Sequence, residues 1–153
     1  MPVKLEHRIG IQAPAEVIWE SLINVEGWEA WNPLYPRAAG VVRIGNTLSL
    51  DLALPDRPVE TITPTILDWA PEDHIHWTTR SQFGLMKTVR YLEIEALSET
   101  GCIFSNGEIY QGYLGERYAR SNRRAIRAGF ASMGEAVQQR AEAAWRERQA
   151  STT

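Results

Sequence analysis

The sequence predicts an α+β fold, with an antiparallel sheet packing its apolar face against one long C-terminal helix. Three observations carry this reading. From about residue 37 to 113 the pattern is two-residue alternation broken by turn signals. Residues 116 to 148 contain no proline and are rich in alanine, glutamate, glutamine and arginine, most of them good helix formers. The order is strand, short helix, several antiparallel strands, long helix, which puts the helices on one face of a one-sided sheet.

In "VKLEHRIGI", residues 3 to 11, Val3, Leu5, His7, Ile9 and Ile11 share one face of a half-buried strand. Pro14 suits a first helical turn. Val17, Ile18, Leu22 and Val25 then recur at helical spacing in a short helix ending near Gly27. Pro33 and Pro36 forbid its continuation. "GWEAWNP" sets Trp28 and Trp31 in this connection, either plugging the core's end or walling a pocket. "NTLSLDLAL" alternates, with Leu48, Leu50, Leu52 and Leu54 on one face. "PTILDWAPEDHIHWTTRS" reads as strand, turn at Pro71-Glu72-Asp73, strand. Ile75, Trp77 and Thr79 share one face of its second arm, and His74, His76 and Arg80 the other. A second hairpin turns at Glu99-Thr100-Gly101, with Gly101 expected in the left-handed region. That three-residue loop would set Ser98 opposite Cys102, Leu92 opposite Glu108, and Arg90 diagonal to Glu108. Tyr118, Asn122, Ile126, Gly129, Met133 and Val137 form the inner stripe of a helix expected over about 116 to 146.

One domain is expected over residues 1–148, followed by a frayed tail at 149–153. The net charge of -3 argues against nucleic acid as a partner. No signal-peptide core or spanning apolar run is present, so the expectation is a cytoplasmic chain without integral membrane contact. The single cysteine, Cys102, excludes an internal disulfide. Six tryptophans fit either a broad apolar cavity or a tryptophan-rich core.

"APAEVIWESL", "WEAWNP", "PEDHIHW" and "FSNGEIYQG", in that order, resemble the polyketide cyclase/dehydrase-like branch of the SRPBCC, or START/Bet v 1-like, superfamily over roughly residues 3 to 145. The resemblance implies a helix-grip fold: a curved antiparallel sheet of about seven strands around a long C-terminal helix, enclosing a deep apolar cavity. Alternation alone does not choose the inward face of the last strand. The resemblance favours the face carrying Cys102, Phe104, Asn106, Glu108 and Tyr110. It implies a ligand-binding lining of Trp28, Trp31, Leu50, Leu52, Trp77, Arg90, Leu92, Glu108, Tyr110, Phe130 and Met133. A carboxylate facing such a cavity needs a partner, and Arg90 is the candidate for Glu108.

Other chemistry is thinner. His7 on an apolar face reads as core more readily than catalyst. His74 and His76 share a face, but no third ligand is placed and no metal site is expected. Cys102 reads as an inert buried thiol. No nucleophile elbow, phosphate loop or dinucleotide fingerprint occurs, so no catalytic set is assigned and no cofactor is expected. Arg117, Arg120, Arg123, Arg124 and Arg127 read as a solvated basic face. The expected function is binding of a small hydrophobic or amphipathic molecule by a carrier, sensor or sequestering protein, with room for a homodimer. The alternative is a polyketide cyclase/dehydratase-type enzyme using the same cavity for an aromatic or polyketide-like substrate.

Overall fold

The computed structural model describes residues 1–152. Among the described residues eight strands and three α-helices are formed: β1 (Val3–Ile11), α1 (Ala15–Ile23), β2 (Arg37–Ala39), β3 (Ser49–Leu52), β4 (Glu60–Ile62), β5 (Thr65–Ala70), β6 (His74–Ser81), β7 (Met86–Ser98), β8 (Gly101–Gln111), α2 (Tyr113–Ser121) and α3 (Arg123–Ser151). The strands make two antiparallel sheets, one ordered β1-β8-β7-β6-β5 and one ordered β2-β3-β4. The single sheet of about seven strands therefore splits in two. The smaller sheet is short because Gly40, Gly45, Pro55, Pro58 and Pro64 interrupt the ladder around it.

The turn after Ala70 forms as expected, with Asp73 N–H donating to the Ala70 carbonyl. The β7–β8 turn differs. Only Glu99 and Thr100 form the loop, Ser98 pairs with Gly101, and a bulge falls between Ala96 and Ser98. Gly101 is not in the left-handed region. The bulge shifts the register, so Arg90 stands directly opposite Glu108 and Leu92 opposite Asn106.

Gly112 ends β8 with a φ of 82°, and a Cβ there would lie 2.4 Å from the Leu85 carbonyl. Helix starts at once, at Tyr113 rather than near 116. It is interrupted at Asn122, whose Nδ2 donates to the Tyr118 carbonyl while its Oδ1 accepts from Arg57. A side chain that bonds its own backbone in this way competes with helix. The last helix runs on through Ser151, past the boundary drawn at 148, and Thr153 lies outside the described residues.

Helix α3 packs chiefly on β1 and α1, touches β8 less extensively, and buries Ile126, Phe130, Met133, Val137 and Ala141. Gly129 allows close approach: an added Cβ would meet Leu54 at 2.9 Å and Leu34 at 3.0 Å. The neighbours are loop leucines rather than the sheet. Gly134 makes the corresponding room for His7, whose Nδ1 would lie 2.7 Å from a Cβ.

Candidate functional site

The inner face of β8 is the one carrying Cys102, Phe104, Asn106, Glu108 and Tyr110, four of them buried and Glu108 half-buried. Two different environments lie along it.

The first is dry. Arg90 is fully buried on β7. Its guanidinium donates to Tyr35 Oη at 3.0 Å, to Asn106 Oδ1 at 2.9 Å, and to the Gly107 and Tyr91 carbonyls at 3.0 and 3.1 Å. It also reaches Met133 Sδ at 3.6 Å. The Phe130 ring lies 4.2 Å from it, with Trp77 and Tyr35 further out. Trp28 closes this cluster, stacked on Tyr35 at 5.6 Å and tilted against Trp77 at 6.2 Å. Its indole N–H donates to the Ser21 and Leu22 carbonyls at the end of α1. Asn32 Oδ1 accepts from the Leu34 and Tyr35 amides, a turn that delivers the Tyr35 ring. Trp28 is thus a plug.

The second environment is a pocket of about 350 Å3 between β3–β4, the ends of β6–β8 and the α2–α3 junction. Its walls include Leu52, Leu54, Ile62, Trp77, Met86 and Phe130, with Glu108, Tyr110, Tyr118, Thr79 and Thr88 as polar groups. Tyr110 Oη donates to Glu108 Oε1 at 3.0 Å. The Thr88 hydroxyl also bonds Glu108 and lies 2.6 Å from the Thr79 hydroxyl. An ionised Glu108 accepts from Thr88, which then accepts from Thr79. Burial pushes the Glu108 carboxyl above the usual glutamate range, while the Arg90 charge and the two hydroxyl bonds pull it back. Burial and then Glu108 hold the Tyr110 hydroxyl well above its ordinary value. Burial first, then Glu60 and Glu108, push Tyr118 up to about 12.

Of the residues singled out in the sequence, Leu52, Trp77, Glu108, Tyr110 and Phe130 meet on this pocket's wall. Trp28, Leu50, Arg90, Leu92 and Met133 are buried in packed core. Trp31 lies outside, half-buried under the Arg140 guanidinium at 5.6 Å. Arg90 and Glu108 both point inward, but no ion pair within 4.0 Å joins them among the described residues. Arg90 instead spends its donors on Tyr35, Asn106 and carbonyls. Tyr35 and Thr88 were missed, and Tyr118 was placed on the inner helical stripe but not in the lining. Tyr35 sits between two prolines with no periodicity to follow, whereas Thr88 was readable as a neighbour on the Arg90 face.

A family model for polyketide cyclase/dehydrase and lipid transport matches residues 2–144. The chain belongs to that family. The helix-grip architecture recurs in the Zhui aromatase/cyclase from Streptomyces sp. R1128, at a TM-score of 0.74 and 17% identity over 93% of this chain and 94% of that one. Norcoclaurine synthase from Thalictrum flavum matches at a TM-score of 0.68 and 12% identity, covering 92% of this chain and 94% of that one. A START superfamily protein from Mycobacterium smegmatis matches at 0.61 and 14%, over 86% and 97% of the two chains. No curated protein matches the sequence. Identities this low establish the shared fold and leave the ligand to the pocket's own chemistry. Among the described residues no helix is long and apolar enough to cross a membrane.

Proposed function

We propose that this chain binds a small amphipathic molecule, with an apolar body and a hydrogen-bond-donating head, in the pocket between the two sheets and the α2–α3 junction. The observation that carries the reading is Glu108 on the wall of a cavity of about 350 Å3, within the range of small-molecule sites. Trp77, Phe130, Leu52 and Ile62 offer the apolar surface. Tyr110 and Thr88 occupy part of the carboxylate's accepting capacity, and a carboxylate has about four lone-pair sites. The remaining capacity suits a donor on the ligand. Carrier, sensor and sequestering roles all use this one act.

A second reading is favoured by the same carboxyl. Burial raises its proton affinity, which brings it toward the range where a group can both hold and release a proton. A cyclase or dehydratase acting on an aromatic or polyketide-like substrate would use Glu108 as acid or base and Tyr110 to orient it. Native mass spectrometry of the purified chain, with fluorescence titration by 2-naphthol, tests binding. Saturable one-site uptake that Glu108→Gln weakens supports the proposal, and naphthol uptake unchanged by that substitution counts against it. A bound compound released chemically altered would move the reading to the enzyme.

A further inference from the structure

We propose that Asp68, His74 and His76 bind a divalent transition-metal ion of the zinc class on the outer face of the sheet, away from the pocket.

His74 and His76 stand two apart on β6, their ring centroids 4.4 Å from each other. Two imidazoles alone make a weak site. The third donor comes from β5 through a bulge. Ile66 pairs with Trp77, but Asp68 pairs with His76, so Leu67 is the extra residue. Strict alternation from buried Ile66 would aim Asp68 inward. The bulge turns it onto the histidine face, a re-aiming that bulges commonly perform. One donor atom from each of Asp68, His74 and His76 then falls within 4.8 Å of the others. Asp68 Oδ2 is 2.9 Å from His74 Nε2. Metal bonds of about 2.0–2.1 Å in a tetrahedron place ligand atoms roughly 3.3 Å apart, so small side-chain rotations complete the set.

The surroundings also suit a metal. Asp73, in the turn that joins the two strands, lies 2.5 Å from His74 Nδ1. A carboxylate there holds the proton on Nδ1 and leaves the Nε2 lone pair for the ion. Glu93, from β7, lies 2.8 Å from His76 Nε2 and orients the second ring. Asp68, Asp73 and Glu93 surround the rings, and among the described residues none of the three has a lysine or arginine ion pair. A dication would neutralise that excess. Imidazole with carboxylate matches zinc, nickel, copper and cobalt rather than calcium or magnesium. The exposed Asp68 side leaves a fourth position for water or a further donor. Bound there, the ion would tie the edge strand β5 to β6.

Cobalt(II) titration of the purified chain, followed by visible absorption and zinc competition, tests this. The expected result is one cobalt per chain with the intense band of tetrahedral coordination, displaced by zinc. Asp68→Asn and His76→Gln should abolish the band, with circular dichroism checking their fold. Asp73→Asn should weaken binding about tenfold, as loss of an orienting carboxylate does. Zinc should raise the thermal midpoint of the natural chain and not of the Asp68→Asn variant. No saturable cobalt uptake, or uptake that the Asp68 and His76 substitutions leave unchanged, would overturn the proposal.

Discussion

Arg90 and Glu108 occupy opposed positions on β7 and β8, and both face inward. Around Arg90 the protein supplies three side-chain acceptors, the Met133 sulfur among them, two carbonyls and three aromatic rings, and no accessible surface remains. Around Glu108 it supplies two hydroxyls and then a cavity. A buried charge with every donor satisfied organises the core. A half-buried charge with unused capacity beside empty space is available to something else. Inward direction alone does not distinguish the two, and reading both as ligand contacts merges a structural role with a binding one.

The largest test of the contrast is Arg90→Met. It should lower unfolding free energy by about 3–6 kcal/mol in urea, because Tyr35 and Asn106 each lose a charged donor worth roughly 1.5–3 kcal/mol. A loss under 1 kcal/mol with naphthol binding abolished would reverse the roles assigned to the pair. Glu108→Gln should instead act on binding, weakening 2-naphthol about tenfold, the worth of one charge-assisted hydrogen bond of ~1.4 kcal/mol.

The same substitution sharpens the comparison through pH. Burial raises the Glu108 carboxyl in the folded chain, so the folded state holds that proton more tightly than the unfolded one. Stability contributed by this group is therefore lost as pH rises from the ordinary value of 4.5 through the raised folded value. Glu108→Gln should flatten the unfolding profile across that window. A profile unchanged by the substitution would show that the carboxyl is not desolvated.

Smaller effects follow. Tyr110→Phe removes one donor to the carboxylate and should cost about 1 kcal/mol in a urea melt. It should also push the Glu108 titration further up, measurable by carbon NMR of the carboxyl. Trp31→Ala, outside both regions, should cost roughly 0.5–1 kcal/mol for its contact with Arg140 and leave naphthol binding untouched.

Much of the architecture was legible because it follows from periodicity. Alternation located β1 and the β5–β6 hairpin, and the proline-free run located α3. The inward face of β8 came from resemblance and matches the burial found. The site was half legible. Leu52, Trp77, Glu108, Tyr110 and Phe130 meet at one pocket, while Trp28 and Arg90 belong to the packing behind it.

The sequence by itself determined the fold class, since side-chain period and helix propensity are local properties, whereas Glu108 as the candidate carboxylate came from the family resemblance, because alternation left the inward face of β8 open. Tertiary structure decided three things that depend on single-residue events in the backbone. The bulge between Ala96 and Ser98 set Arg90 opposite Glu108 instead of diagonal to it. The bulge at Leu67 turned Asp68 onto the histidine face. Asn122 divided one expected helix into α2 and α3. A bulge reverses which face every later residue of a strand presents, and no alternation pattern marks where it will fall. Which of two inward charges is sealed and which is open depends on a Tyr35 ring delivered from a distant loop, and that choice exists only once the chain is packed.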